Sequence, residues 1–325
     1  MRILFFFFFC ASQLLANPFF IHFPEKENLT DEDYLEIQRQ LREINVDPLI
    51  ESMYPKGEDF THYEDIYARC VHGLKQKLID PEKNNTPIQS LEKINEGSDM
   101  CFVSCVPFSG KYVALVQSLA GELKKLGFNG YLLYQAGGFP NPTGKEIRYV
   151  GVPYSFKIFM MLEAKKLGFN KVIWIDSAVL PLRDPTPLFT WLDQHSTLLR
   201  RFHTPKDTSR FIFPQTNKLL MDLTGTDILH GHFVNTIIFG LKMNSWQAKK
   251  IIEEYYAMAE LGTPFLSCFP EEFVLSAIIG RKQFKALKKH SFDLLRNAKE
   301  EGQLENAEGI ETIRKKGTFF FHRTH

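Results

Sequence analysis

Between Met100 and Asp176 the chain alternates between two hydrophobic periods. "MCFVSCV" (100–106) is a continuous apolar run of strand length. In "KYVALVQSLAGELKKL" (111–126), Tyr112, Leu115, Val116, Leu119, Leu123 and Leu126 recur at helical spacing. A short echo follows: "KKLGFNGYLLYQ" at 124–135 and "KKLGFNKVIWID" at 165–176. Each copy reads as the basic end of a helix, a glycine suited to the left-handed position after it, and a strand. Gly127 and Gly168 therefore mark two helix-to-strand corners. The order strand, helix, strand, helix, strand predicts a parallel sheet with crossover helices.

In such sheets ligands bind beyond the carboxyl ends of the strands. "PFSGK", "QAGGFPNP" and Asp176 with Ser177 are expected to line one crevice. The strand "KVIWI" ends on Asp176, which makes that carboxylate a candidate ligand-binding group. The bland alternative is a turn former, since Asp-Ser pairs favour turns.

The flanks read differently. Residues 17–96 are polar and predict a helical extension; "NLTDEDYLEIQRQLREI" opens near a capping box, with Thr30 followed by Asp33. At the start, Arg2, the apolar run Ile3 to Phe9 and the small residue Ala16 read as a signal peptide over residues 1–16. The run is well short of the ~20 residues a spanning helix needs. Export is expected rather than membrane anchoring.

Composition narrows the function classes. The chain has 325 residues, 44% hydrophobic and 24% charged, with 39 basic and 38 acidic residues and a net charge of +1. That balance disfavours a nucleic-acid partner, which calls for a basic stripe. Cys101 and Cys105 share one strand about 13 Å apart and cannot bridge each other. Neither CxxC nor a zinc spacing occurs. "VPFSGKYV" lacks the GxGxxG of a dinucleotide site, and "GGFPNPTGKE" lacks P-loop spacing.

"YSFKIFMMLEAKKLGFNKVIWIDSAVLPLRDPTPLF" resembles the central stretch of GT-A-fold glycosyltransferases, where a helix leads to an apolar strand ending in Asp-x-Asp. "HFVNTIIFGLKMNSWQAKKIIEEY" and "PEEFVLSAIIG" are similar, more weakly, to the strand and the acidic helix start near the sugar in that family. The resemblance implies an α/β GT-A-like, Rossmann-type sandwich over residues 97–325, with a mostly parallel central sheet flanked by helices. It implies transfer of a sugar from a nucleoside-diphosphate sugar, with UDP-sugars favoured, to a glycan, lipid or protein acceptor.

The resemblance also implies which residues would serve, and a diphosphate leaving group, whose charge must be neutralised, fits them. Asp176 matches the first acid of the motif and would engage the donor ribose or a metal, with Ser177 beside it. Ala178 stands where the second acid belongs, so Mn2+ or Mg2+ is expected only if another ligand, with His322 the first candidate, replaces it. Lys157 and Arg323 are candidate cations for the diphosphate. Asn235 is a candidate for the sugar, and Glu271 and Glu272 for the sugar or the catalytic base. Both acids follow Pro270 in a first helical turn, where the dipole alone rewards carboxylates.

Two other readings stand beside transfer. Without the second acid the crevice could bind a nucleotide sugar or glycan and not turn it over. Alternatively, His230 and His232 in "HGH", with Asp227 or Asp176, could hold the metal of a secreted hydrolase.

Overall fold

The computed structural model describes Glu32, Glu36 and Arg39, and residues 88–323 apart from 107–109, 138–139, 141–154, 206–207, 213, 262, 266 and 298–305. The signal-peptide expectation (1–16) and nearly all of the expected helical extension lie outside the described residues. So do most of the loops expected at "PFSGK" and "QAGGFPNP". No helix among the described residues is long and apolar enough to cross a membrane.

The alternation read from the sequence is present. Strand β2 (Met100–Val106) leads through α1 (Gly110–Lys125) to β3 (Gly130–Ala136), and α2 (Phe156–Lys166) leads to β4 (Lys171–Ile175). Gly127 and Gly168 adopt φ of +79° and +95°, the left-handed conformation that turns each helix into the next strand. Strand β2 pairs in parallel with β3 on one side and β4 on the other.

The sheet as a whole is mixed rather than mostly parallel. It has 6 strands in the order β1 (Ile88–Ile94), β3, β2, β4, β7 (His232–Lys242) and β6 (Thr197–His203). Strand β1 runs antiparallel to β3, and β7 runs antiparallel to both β4 and β6. Strand β1 falls inside the segment expected to be helical, so the sheet begins before Met100. Its sequence IQSLEKI leaves Ile88 and Leu91 exposed at the edge, with Ile94 buried. An edge strand that buries so little carries almost no periodic signal.

Helices cover both faces. Helix α1 and α3 (Thr186–His195) pack on the face formed by Phe102, Leu132, Ile173 and Ile175. On the other face lie α2, α5 (Trp246–Leu261) and α6 (Pro270–Gly280), against Val103, Leu133, Val172 and Trp174. Alternate residues of each strand thus serve opposite cores. Helix α4 (Pro214–Thr224) packs against α6.

A small second sheet has the order β5-β9-β8, formed by Val179–Pro181, Phe320–His322 and Leu295–Asn297. Helix α7 (Ala307–Lys315), whose N-cap Asn306 accepts from Gly309 N, precedes β9. Strand β9 pairs antiparallel with β5, immediately after the turn that ends β4.

Candidate functional site

Strand β2 sends the chain to β3 on one side, and α2 carries it back across β2 to β4 on the other. The carboxyl ends of β2 and β4 therefore flank the point where strand order reverses, the usual crevice of an open α/β sheet. Asp176 is the first residue beyond β4. Period-two alternation puts it on the face of Trp174, toward α2, and the Trp174 indole Nε1 donates to Asp176 Oδ1 at 2.6 Å. Ser177 and Ala178 form the tight turn closed by Val179 N donating to Asp176 O (3.0 Å). The turn-former reading and the ligand reading of Asp176 are thus compatible: its backbone makes the turn and its side chain faces the cluster.

Strand β7 brings the next residues. Its register sets Ile238 opposite Ile175, and Asp176 N donates to Ile237 O (3.0 Å), so Asn235 and Thr236 lie just past the end of β4. The pairing of β6 with β7 shifts between Leu199 and Arg200, opposite residues 236–238. Such an irregularity re-aims side chains locally.

Helix α6 closes the cluster from the same face. Pro270 is at its start and Glu271 and Glu272 occupy its first turn. Glu272 Oε1 accepts from Asn235 Nδ2 (2.8 Å) and Thr236 N (3.0 Å). Glu271 Oε1 accepts from the Thr236 hydroxyl at 2.8 Å. Farther along, Ser276 Oγ accepts from Val234 N, pinning the helix to β7.

Lys157 joins these elements. It sits on α2 among Phe156, Ile158, Phe159, Met160 and Met161, and is only 2% exposed. Its ammonium lies 3.1 Å from Asp176 Oδ1 and 2.9 Å from Glu271 Oε1. It also donates to Thr236 O (3.2 Å) and Oγ1 (3.3 Å) and stands 5.4 Å from the centre of the Trp174 ring. Burial alone would depress its pKa. The nearby charges of Asp176, Glu271 and Glu272 outweigh that and raise it above the ordinary lysine value. The ammonium is charged at neutral pH.

The structure thus brings together Lys157, Asp176, Asn235, Glu271 and Glu272 from four separate elements. It also changes the position expected for three of them. Lys157 points inward and is held by protein carboxylates instead of facing a diphosphate. Glu271 and Glu272 are 6% and 7% exposed, and each has an oxygen engaged inside the protein. Both are buried at the start of a helix packed against β7. Asp176, with its side chain 25% exposed, is the acid of the cluster that reaches solvent. Two acceptors in the cluster, Asn235 Oδ1 and Glu271 Oε2, are buried without a hydrogen-bond partner among the described residues.

His322 and Arg323 arrive through the backbone. His322 pairs with Val179, and Arg323 N donates to Ala178 O at 3.1 Å, so the end of β9 lies against the Asp176 turn. As for a divalent cation, no group of three or more His, Cys, Asp or Glu is arranged to hold one among the described residues. The lysine ammonium occupies the place between Asp176 and Glu271. These residues do not fit a metal centre built on Asp176.

The histidine pair does not converge either. His230 Nδ1 lies 2.8 Å from Asp227 Oδ2 in a solvent-exposed turn, while His232 opens β7 and stacks on His203, ring centres 4.9 Å apart. Thr236 and the indole of Trp174 belong to the site and were not singled out by sequence. The spacing of Trp174 and Asp176, two apart on one strand, was the available signal for the second. No protein-family model and no curated protein sequence matches the chain.

Proposed function

We propose that the chain is a nucleotide-sugar-dependent glycosyltransferase whose donor lies in the crevice beyond β2 and β4. The observation that carries this reading is the fixed, partly exposed Asp176 at the strand-order reversal, braced from behind by Trp174 and the buried Lys157. An orientated carboxylate is an acceptor pair for vicinal hydroxyls, the chemistry of a ribose or hexose. The unpartnered Asn235 Oδ1 beside it calls for a hydroxyl donor as well, since a buried acceptor left unmade costs about 1–3 kcal/mol.

In this reading Asp176 and Ser177 meet the donor, and Asn235 meets its sugar. Arg323, whose backbone β9 delivers to the Ala178 turn, is the candidate cation for the diphosphate. Lys157, Glu271 and Glu272 are positioning residues: they hold Asp176 and Asn235 and do not touch the reacting atoms. The acceptor is a glycan, lipid or protein hydroxyl.

The test is donor turnover. UDP-glucose, UDP-galactose and UDP-N-acetylglucosamine are incubated with the protein and an oligosaccharide panel, with and without Mn2+, and UDP release is followed. Release that vanishes in Asp176→Asn while the variant stays folded supports the proposal. Saturable donor binding with no release under any condition would reduce the protein to a sugar-nucleotide-binding module, in keeping with Ala178. Release unchanged in Asp176→Asn would sink it.

A further inference from the structure

A pocket of opposite charge to the Asp176 cluster lies at the far end of α6. It has a volume of about 370 Å³ and is lined by Arg201, His232, Ile279, Gly280, Lys285 and Lys289. Arg201 comes from β6, His232 from β7, and the two lysines from the segment following α6. From Glu272 to Gly280 the helix spans about 12 Å, so the pocket is separate from the Asp176 cluster.

Arg201 is half-buried, and its guanidinium donates to Leu287 O at 2.9 Å. Among the described residues, no carboxylate forms an ion pair with Arg201, Lys285 or Lys289. The acids on neighbouring elements are already engaged: Asp227 with His230 (2.8 Å), and Glu254 with Arg281 (3.0 Å) and Gln283 (2.7 Å). The carbonyl end of α6 supplies about half a negative charge, against three fixed cations. His232 is pushed below the ordinary histidine pKa by burial, then by His203, Arg201 and Lys289. A neutral imidazole there can still donate one hydrogen bond.

We infer that this pocket binds a phosphate group, either free or as the monoester of a small molecule. The charge count selects the class. Three cations overmatch a carboxylate's single charge and suit a phosphate ester carrying about −1.5 to −2 at pH 7 with three acceptor oxygens. The guanidinium adds the planar fork that binds such oxygens in pairs. This site does not rest on the transfer reading, since no residue of the Asp176 cluster lines it.

The experiment is calorimetry on the full chain at constant ionic strength, with inorganic phosphate, glucose 6-phosphate and acetate as probes. Saturable binding of phosphate or its ester is expected, with acetate much weaker. Arg201→Gln, which keeps a donor for Leu287 O, and the surface pair Lys285→Gln/Lys289→Gln should each weaken it about tenfold or more. Tighter binding of glucose 6-phosphate than of inorganic phosphate assigns the pocket to a phosphorylated small molecule; equal binding assigns it to the anion alone. No saturable phosphate binding, acetate binding as tight as phosphate, or full affinity in both folded variants would overturn the assignment.

Discussion

Replacing Lys157 by methionine tests how the cluster is held. Methionine keeps most of the apolar stem and removes the charge. Glu271, 6% exposed, would then keep the Thr236 hydroxyl as a donor but lose the ammonium at 2.9 Å. Asp176 would retain the Trp174 indole and its share of solvent, so its loss is the smaller one. Removing one partner of a buried ion pair costs about 3–5 kcal/mol, because the other charge stays desolvated. At about 1.5 °C per kcal/mol, from an unfolding entropy of about 2.1 cal/mol/K per residue, the midpoint of thermal unfolding should fall by roughly 4–7 °C. Adding Glu271→Gln removes the stranded charge, so the double variant should recover about 0.5–3 kcal/mol relative to the sum of the singles. Urea and thermal unfolding of the four proteins at pH 7, followed by circular dichroism, read this directly. A Lys157→Met protein within about 1 kcal/mol of the parent, or strictly additive singles, would refute the buried ion-pair account.

Other expectations follow from the same geometry. The raised pKa of Lys157 means that the folded chain holds this proton above the unfolded value near 10.5. Its stabilisation is therefore complete below that pH and lost as pH climbs from there; alkaline unfolding should show this decline, and Lys157→Met should lack it. His232 and His290 both lie below 6.5, chiefly because burial disfavours their charged forms. The unfolded chain then binds more protons between the depressed values and 6.5, so stability should fall on acidification through that window, and less steeply in His232→Gln and His290→Gln proteins. Phe102 is fully buried against Phe128, Phe189 and Phe320, with ring centres 5.3, 5.1 and 6.2 Å away. Phe102→Ala should cost about 3–5 kcal/mol by urea titration, and a loss under 1 kcal/mol would contradict the described core.

Much of the central fold was readable because β2, β3 and β4 are buried on both faces, which leaves long apolar runs between helical periods. Strand direction was not readable. The run that forms β7 looks the same whether it pairs parallel or antiparallel, and the antiparallel register is what delivers Asn235 and Thr236 to Asp176. Strand β1 was hidden because an edge strand with exposed Ile88 and Leu91 resembles a polar helix. Asp176 announced itself by ending an apolar strand, and Glu271 and Glu272 by following a proline. Their roles were not legible, because the first turn of a helix rewards carboxylates whether it faces solvent or core. Lys157 could have been read differently: a lysine with five apolar neighbours in "FKIFMM" has no polar face to occupy, so its charge has to find a buried partner.

Binding of a nucleotide sugar beside Asp176 is the central claim. Titration calorimetry of UDP-glucose, UDP-galactose and UDP-N-acetylglucosamine, each with and without Mn2+, measures it on the parent and on Asp176→Asn. The account predicts saturable binding of at least one donor, weakened about tenfold or more when the carboxylate becomes an amide. No saturable binding to any of them, or equal affinity in a folded Asp176→Asn protein, would contradict it.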